Sequence, residues 1–229
     1  MAFGENMGDK VVYFCRHGES AHNIDPVALG TPDNPLTPRG IEQASAALRS
    51  CLRSIVETEV AAGGGLFDAV VTSPMTRAIE TCLYSTDGLL GPGVSPRVEP
   101  LCTERGSSVC DRGSARTTLE ARFPALDFAA LGTADVWWDE DEERFGPDSD
   151  DRDYLKHGRL VSARALALAG WLDRLAAKRV AVFGHAGIFR ALLCRNFRNC
   201  EVAMYHWPPK GFPPGSPVQS WDGAATSRL

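Results

Sequence analysis

The chain has 229 residues, 44% hydrophobic and 23% charged, with a formal net charge of −5 and a pI near 5.6. That length suits a single α/β domain spanning 1–229 with a full core, and the acidic balance speaks against nucleic acid or an anionic membrane as a general partner. No apolar run reaches the length of a membrane span and the N-terminus lacks a charged-then-apolar signal pattern, so the expectation is a soluble, cytoplasmic protein.

Met1–Asp9 is Gly-rich and polar, and reads as a flexible leader. Lys10–Arg16 is apolar on both faces, as a central parallel strand should be, and runs into Arg16-His17-Gly18. Ile24–Pro38 is rich in Pro, Asp, Asn and Gly, a loop over the end of that strand. Thr37-Pro38 supplies an N-cap and a proline at the first helical position. Ile41, Ala44, Leu48, Leu52 and Ile55 then recur at helical spacing, predicting a long helix from Pro38 to Ala62 that Gly63-Gly64-Gly65 stops. Phe67–Thr72 is the second strand. Ser73-Pro74 repeats the cap-and-proline device, placing Arg77 in the first turn of a helix that fades by Ser85.

Gly88–Pro96 is a turn-rich crossover, and Arg97–Leu101 a short strand leading to Cys102-Thr103-Glu104. From about 107 to 159 the pattern is irregular, with a short helix near Ala115–Arg122 halted by Pro124. This segment holds Trp137-Trp138 and the acidic run 139–143, followed by Asp148, Asp150, Asp151 and Asp153. Such a run is a solvated loop, or a patch that binds a partner or repels polyanions. Leu160–Ala177 is the clearest helix, with Leu168, Leu172 and Leu175 on one face; Arg179–Phe183 is a central strand, and Ile188, Leu192 and Leu193 begin another helix. Glu201–His206 is a last strand at the sheet edge, and 208–229 a Pro/Gly-rich tail.

Three units thus share one form, a strand followed by a polar turn, and each delivers an Arg or His to the carboxyl edge where open α/β sheets bind ligands. The seven cysteines show no CxxC spacing and are odd in number, which fits buried free thiols. His22, His157 and His206 offer no credible metal cluster.

Arg16-His17-Gly18 with Asn23, Ser73-Pro74 with Arg77-Ala78 and Thr81, and Gly184-His185-Ala186-Gly187 resemble, in order, the three blocks of the histidine phosphatase superfamily, or phosphoglycerate-mutase-like proteins. Cys110-Asp111-Arg112-Gly113-Ser114 and Phe123-Pro124-Ala125-Leu126-Asp127-Phe128 resemble the plant and fungal phosphoglycerate-mutase-like branch. The resemblance implies a three-layer α/β/α sandwich with a mostly parallel central sheet and an irregular insertion over the active site. It implies a metal-independent phosphomonoester hydrolase acting on a small phosphorylated substrate, without a cofactor, through a phosphohistidine on His17.

Arg16 and Arg77 would bind phosphate oxygens through their guanidinium forks, and His185 would donate to an oxygen gaining charge in the transition state. The N–H groups of Ala186 and Gly187 at a helix start, and the Asn23 amide, would bind the same anion. Glu104 matches the family's proton donor by position, with Asp111 and Glu19 as rival carboxyls. A phosphoglycerate-type mutase is the competing activity, although Glu104-Arg105 is followed by Gly106-Ser107-Ser108 rather than the mutases' Arg-His-Tyr-Gly. A catalytically weak phosphate-binding scaffold is the non-enzymatic alternative.

Overall fold

In a computed structural model, residues 10–61, 67–106, 108–138 and 151–209 are described. The leader, the acidic run 139–143 and most of the tail lie outside them. Five strands form one sheet: β1 (Lys10–Arg16), β2 (Ala69–Thr72), β3 (Arg97–Val98), β4 (Arg179–Gly184) and β5 (Val202–Trp207). Their order is β3-β2-β4-β1-β5, parallel except for β5, which runs antiparallel to β1 at the edge. The helices are α1 (Pro38–Glu42), α2 (Arg49–Ala61), α3 (Thr76–Thr86), α4 (Arg116–Arg122), α5 (Asp151–Arg174) and α6 (Ala186–Leu193).

The alternation of strand side chains makes the sandwich. Val12 and Phe14 of β1 face a core with Val180 and Val182, Ala165, Leu168 and Leu172 of α5, and Ile188 and Phe189 of α6. Tyr13 and Cys15 face the other way, against Leu52, Ile55 and Val56 of α2, Cys82 of α3 and Phe183. Both faces of β1 are therefore dry, which is why it carries no polar residue between Lys10 and Arg16. Phe14 anchors its layer edge-on to Phe189 and Tyr205, with ring centroids 5.3 and 5.8 Å away. None of the seven cysteines forms a disulfide; Cys15, Cys82, Cys102 and Cys110 are buried as expected, whereas Cys51 and Cys200 are half-buried and Cys194 is exposed. Burial pushes the Cys15 thiol well above its ordinary value, as befits an inert core residue.

The structure corrects several boundaries. The helix expected from Pro38 to Ala62 contains a π-helical stretch, Gln43–Leu48, between α1 and α2. The third strand stops at Val98 because Pro100 has no N–H for the ladder; the chain turns into the 3₁₀ segment Pro100–Cys102. α5 begins at Asp151, inside the segment expected to be irregular, because its polar first turns carry no apolar stripe to announce it. The 108–138 part of that segment is also packed. Leu119, Leu126, Phe128 and Leu131 close over Ile79 and Val98 in a small core of their own.

Candidate active site

Register assembles the site. Arg16 pairs with Gly184 and Thr72 with Phe183 across the ladders, so His17, Ser73 and His185 leave the sheet side by side. The His17 N–H donates to the Gly184 carbonyl at 3.0 Å and the Ser73 N–H to that of Phe183 at 2.9 Å, extending both ladders by one step. His17 and His185 are fully buried, with ring centroids 5.1 Å apart.

The His17 Nδ1–H donates to the Gly18 carbonyl at 2.7 Å, which fixes the tautomer and leaves the lone pair on Nε2. That Nε2 is buried and has no partner among the described residues. His185 Nε2 lies 2.8 Å from the Ser73 hydroxyl, and its Nδ1 is likewise buried and unpartnered. Arg16 donates from Nη1 to the Phe197 carbonyl at 2.7 Å. Arg77, fully buried in the first turn of α3, donates to the Cys110 carbonyl at 2.9 Å and to Asp111 Oδ1 at 3.1 Å. The Nε of each arginine is buried with no partner.

Burial, reinforced by the two guanidinium charges, holds His17 and His185 well below the usual histidine range. The same causes lower His22 to about 4, and its ring lies 5.6 Å from that of His17. All three imidazoles are thus neutral at pH 7, as a nitrogen nucleophile requires. Among the described residues no group of three or more His, Cys, Asp or Glu could hold a metal ion.

Glu104 lies in the same site, partly buried. Its Oε1 accepts from the N–H groups of Arg105 and Gly187, both at 2.8 Å. Its pKa is raised, first by burial and then by the negative charge of Asp111, against the opposing pull of Arg77, the Arg105 N–H and Arg16. Because both N–H bonds end on Oε1, Oε2 is the oxygen left to carry a proton. The N–H of Gly187, expected to face the phosphate, is therefore spent on Glu104. A Cβ at Gly187 would come within 2.2 Å of Glu104 Oε1, which accounts for glycine there. Glu19 is tied down elsewhere: the Thr37 hydroxyl donates to it at 2.8 Å, beside the start of α1.

Asn23 also has a local role. Its Oδ1 accepts from the Ser20 N–H and from Asn199 Nδ2, each at 3.1 Å, and the residue is exposed. The amide nitrogen remains the group that could reach an anion.

Three supports were not legible in the sequence. The turn between α6 and β5 braces His17 from behind. Asn199 Nδ2 donates to the His17 carbonyl at 3.0 Å, and Cys200, at φ +56°, directs its N–H to the carbonyls of Arg16 and His17 at 3.2 and 3.3 Å. Asp33 is the second, in place of the Ser73-Pro74 cap expected for α3. Its carboxylate accepts from the Thr76 N–H at 2.8 Å and hydroxyl at 2.7 Å and from the Ser114 hydroxyl at 2.6 Å, and its own N–H donates to Arg112. Ser73, released from capping, holds His185 instead. Arg164 of α5 is the third, donating to the carbonyls of Thr103 and Glu104. No local pattern marks these residues, since each acts across a distance of tens of residues or more.

The chain as a whole has known relatives. The chain belongs to the histidine phosphatase superfamily (branch 1), whose family model matches residues 12–209. A probable phosphatase of Schizosaccharomyces pombe is 29% identical over 124 residues, 53% of this chain and 53% of that protein, so the match spans about half the length of this relative. A phosphoglycerate mutase-like protein of Arabidopsis thaliana is 27% identical over 83% of this chain and 76% of its own. Among solved structures, the ecdysone phosphate phosphatase from Bombix mori in complex with tungstate shares the fold, with a TM-score of 0.53 at 16% identity, covering 94% of this chain and 97% of that one.

Proposed function

We propose that the protein is a phosphomonoester hydrolase that works through a covalent phosphohistidine on His17. The observation that carries this reading is the state of His17: its Nδ1 is committed to the Gly18 carbonyl, and its Nε2 is buried, unpartnered and beside His185. An imidazole held in one tautomer, neutral and under the influence of Arg16 and Arg77, is a nitrogen nucleophile prepared for an anionic phosphorus centre.

In the first step Nε2 forms a bond to phosphorus while the ester P–O bond breaks, and the proton on Glu104 passes to the departing oxygen. Arg16 and Arg77 neutralise the phosphoryl oxygens. With the Ser73 hydroxyl donating to Nε2, His185 carries its proton on Nδ1 and donates it as a hydrogen bond to the same group. In the second step water attacks phosphorus and gives a proton to Glu104, the P–N bond breaks, and inorganic phosphate and neutral His17 are restored.

The Schizosaccharomyces pombe relative, a probable phosphatase, agrees with hydrolysis. The absence of the mutases' Arg-His-Tyr-Gly after Glu104 favours water over a second substrate as phosphoryl acceptor. The test is turnover of an aryl phosphate without added metal by the wild type and His17→Ala, with trapping of phosphoprotein under alkaline conditions. Hydrolysis and a base-stable phosphoprotein that both vanish in the variant are expected. A wild type that neither hydrolyses nor becomes labelled would overturn the reading in favour of a mutase or a phosphate-binding scaffold.

A further inference from the structure

Asp111 has no assigned part in this chemistry, yet it touches one of its central groups. Its Oδ1 accepts from Arg77 Nη2 at 3.1 Å, with the two side chains 7% and 0% exposed, while the carbonyl of the preceding residue, Cys110, takes Nη1 at 2.9 Å. The Cys110-Asp111 pair thus grips both terminal nitrogens of Arg77 and sets the plane of its guanidinium. The loop doing so is itself fixed from two sides. Asp33 binds Arg112 and Ser114 on one flank. On the other, Trp137 donates from Nε1 to the Ser114 carbonyl at 2.8 Å and lies so close over Gly113 that a Cβ there would meet the indole at 1.9 Å. A carboxylate buried on a loop clamped this firmly is part of a built site.

We propose that Asp111 is a positioning residue for phosphoryl transfer: it orients Arg77 towards the phosphate and serves as the fixed negative charge of the site. This rests on the hydrolase reading above. The charge has two consequences. It offsets part of the Arg77 cation, so inorganic phosphate is held loosely enough to leave. It also acts on Glu104 and shifts that carboxyl towards its protonated form, against Arg77 from α3, Arg16 from β1, Arg164 from α5 and the Gly187 N–H from α6. The neighbouring histidines are neutral and Cys110 is a thiol with its pKa pushed up to about 12, so none of them competes for this role near pH 7.

The test compares pH profiles of kcat/KM for an alkyl and an activated aryl phosphate in the wild type, Asp111→Asn, Asp111→Glu and Glu104→Gln, with inhibition by inorganic phosphate measured alongside. Asp111→Asn keeps an acceptor for Arg77 and removes only the charge. Its alkaline limb should move acidward by about one pH unit, and inorganic phosphate should inhibit severalfold more strongly. Asp111→Glu should restore the limb. Should Asp111→Asn fail to fold, Asp111→Ser carries the same expectations.

An Asp111→Asn enzyme with an unmoved limb and unchanged phosphate inhibition overturns the proposal, because a purely structural role would lower stability and leave both readouts in place. Alkyl-phosphate turnover lost in Asp111→Asn but retained in Glu104→Gln also overturns it, by making Asp111 the acid itself. If Glu104→Gln loses the limb while Asp111→Asn keeps it, the hydrolase reading survives and only the role of Asp111 fails.

Discussion

At the scale of single residues the site is governed by what each polar atom has already spent. His17 has one committed and one uncommitted nitrogen, and the commitment is local, to the next residue in the chain. Glu104 has one oxygen bound to two N–H groups and one left to titrate, and this depends on glycine at 187. Gly187→Ala should therefore displace Glu104, the proposed acid, without touching His17, the proposed nucleophile. Turnover of alkyl phosphates, whose leaving oxygen needs a proton, should fall by about 10²–10⁴-fold. An activated aryl phosphate should be affected far less, and the ratio of the two rates is the measurement.

Secondary-structure elements show which parts of the site could be read in advance. Arg16 ends β1, His17 and His185 stand one step beyond β1 and β4, and Arg77 lies in the helix that follows β2; the strands announce themselves as apolar runs, so the convergence followed from the parallel sheet. Glu104 follows the third strand by way of the 3₁₀ turn Pro100–Cys102. Asp33, Asn199 and the Phe197 carbonyl stand in loops, and only tertiary contacts give them a task. The start of α3 is the clearest case: local sequence offered Ser73-Pro74 as its cap, whereas the helix is capped from a loop more than forty residues upstream. Asp33 also sits at φ +43°, a conformation its hydrogen bonds must hold in place. Asp33→Ala should strand the Thr76 donors and lower stability by about 1–3 kcal/mol, read as a shifted urea midpoint. It should also raise KM, since Arg77 occupies the turn that Asp33 anchors.

For the whole molecule, the buried imidazoles couple folding to pH. Histidines that stay neutral in the folded protein but bind protons above pH 6 when unfolded contribute stability that is complete above 6.5. It is lost as pH falls towards the folded value, about 4 for His22. Glu80, Glu99 and Glu104, whose values are raised by burial, act in the opposite sense: their contribution is lost as pH rises above 4.5. Melting temperatures measured from pH 7 down to pH 4 should accordingly fall less steeply in His22→Gln and more steeply in Glu104→Gln than in the wild type. The brace behind His17 has a different kind of consequence. The residues that grip the His17 backbone, Asn199 and Cys200, and the strand that covers β1, Val202–Trp207, lie about 180 residues further along the chain. The geometry around His17 therefore depends on a contact of very high sequence separation, whose loop-closure entropy must be met before the contact can form.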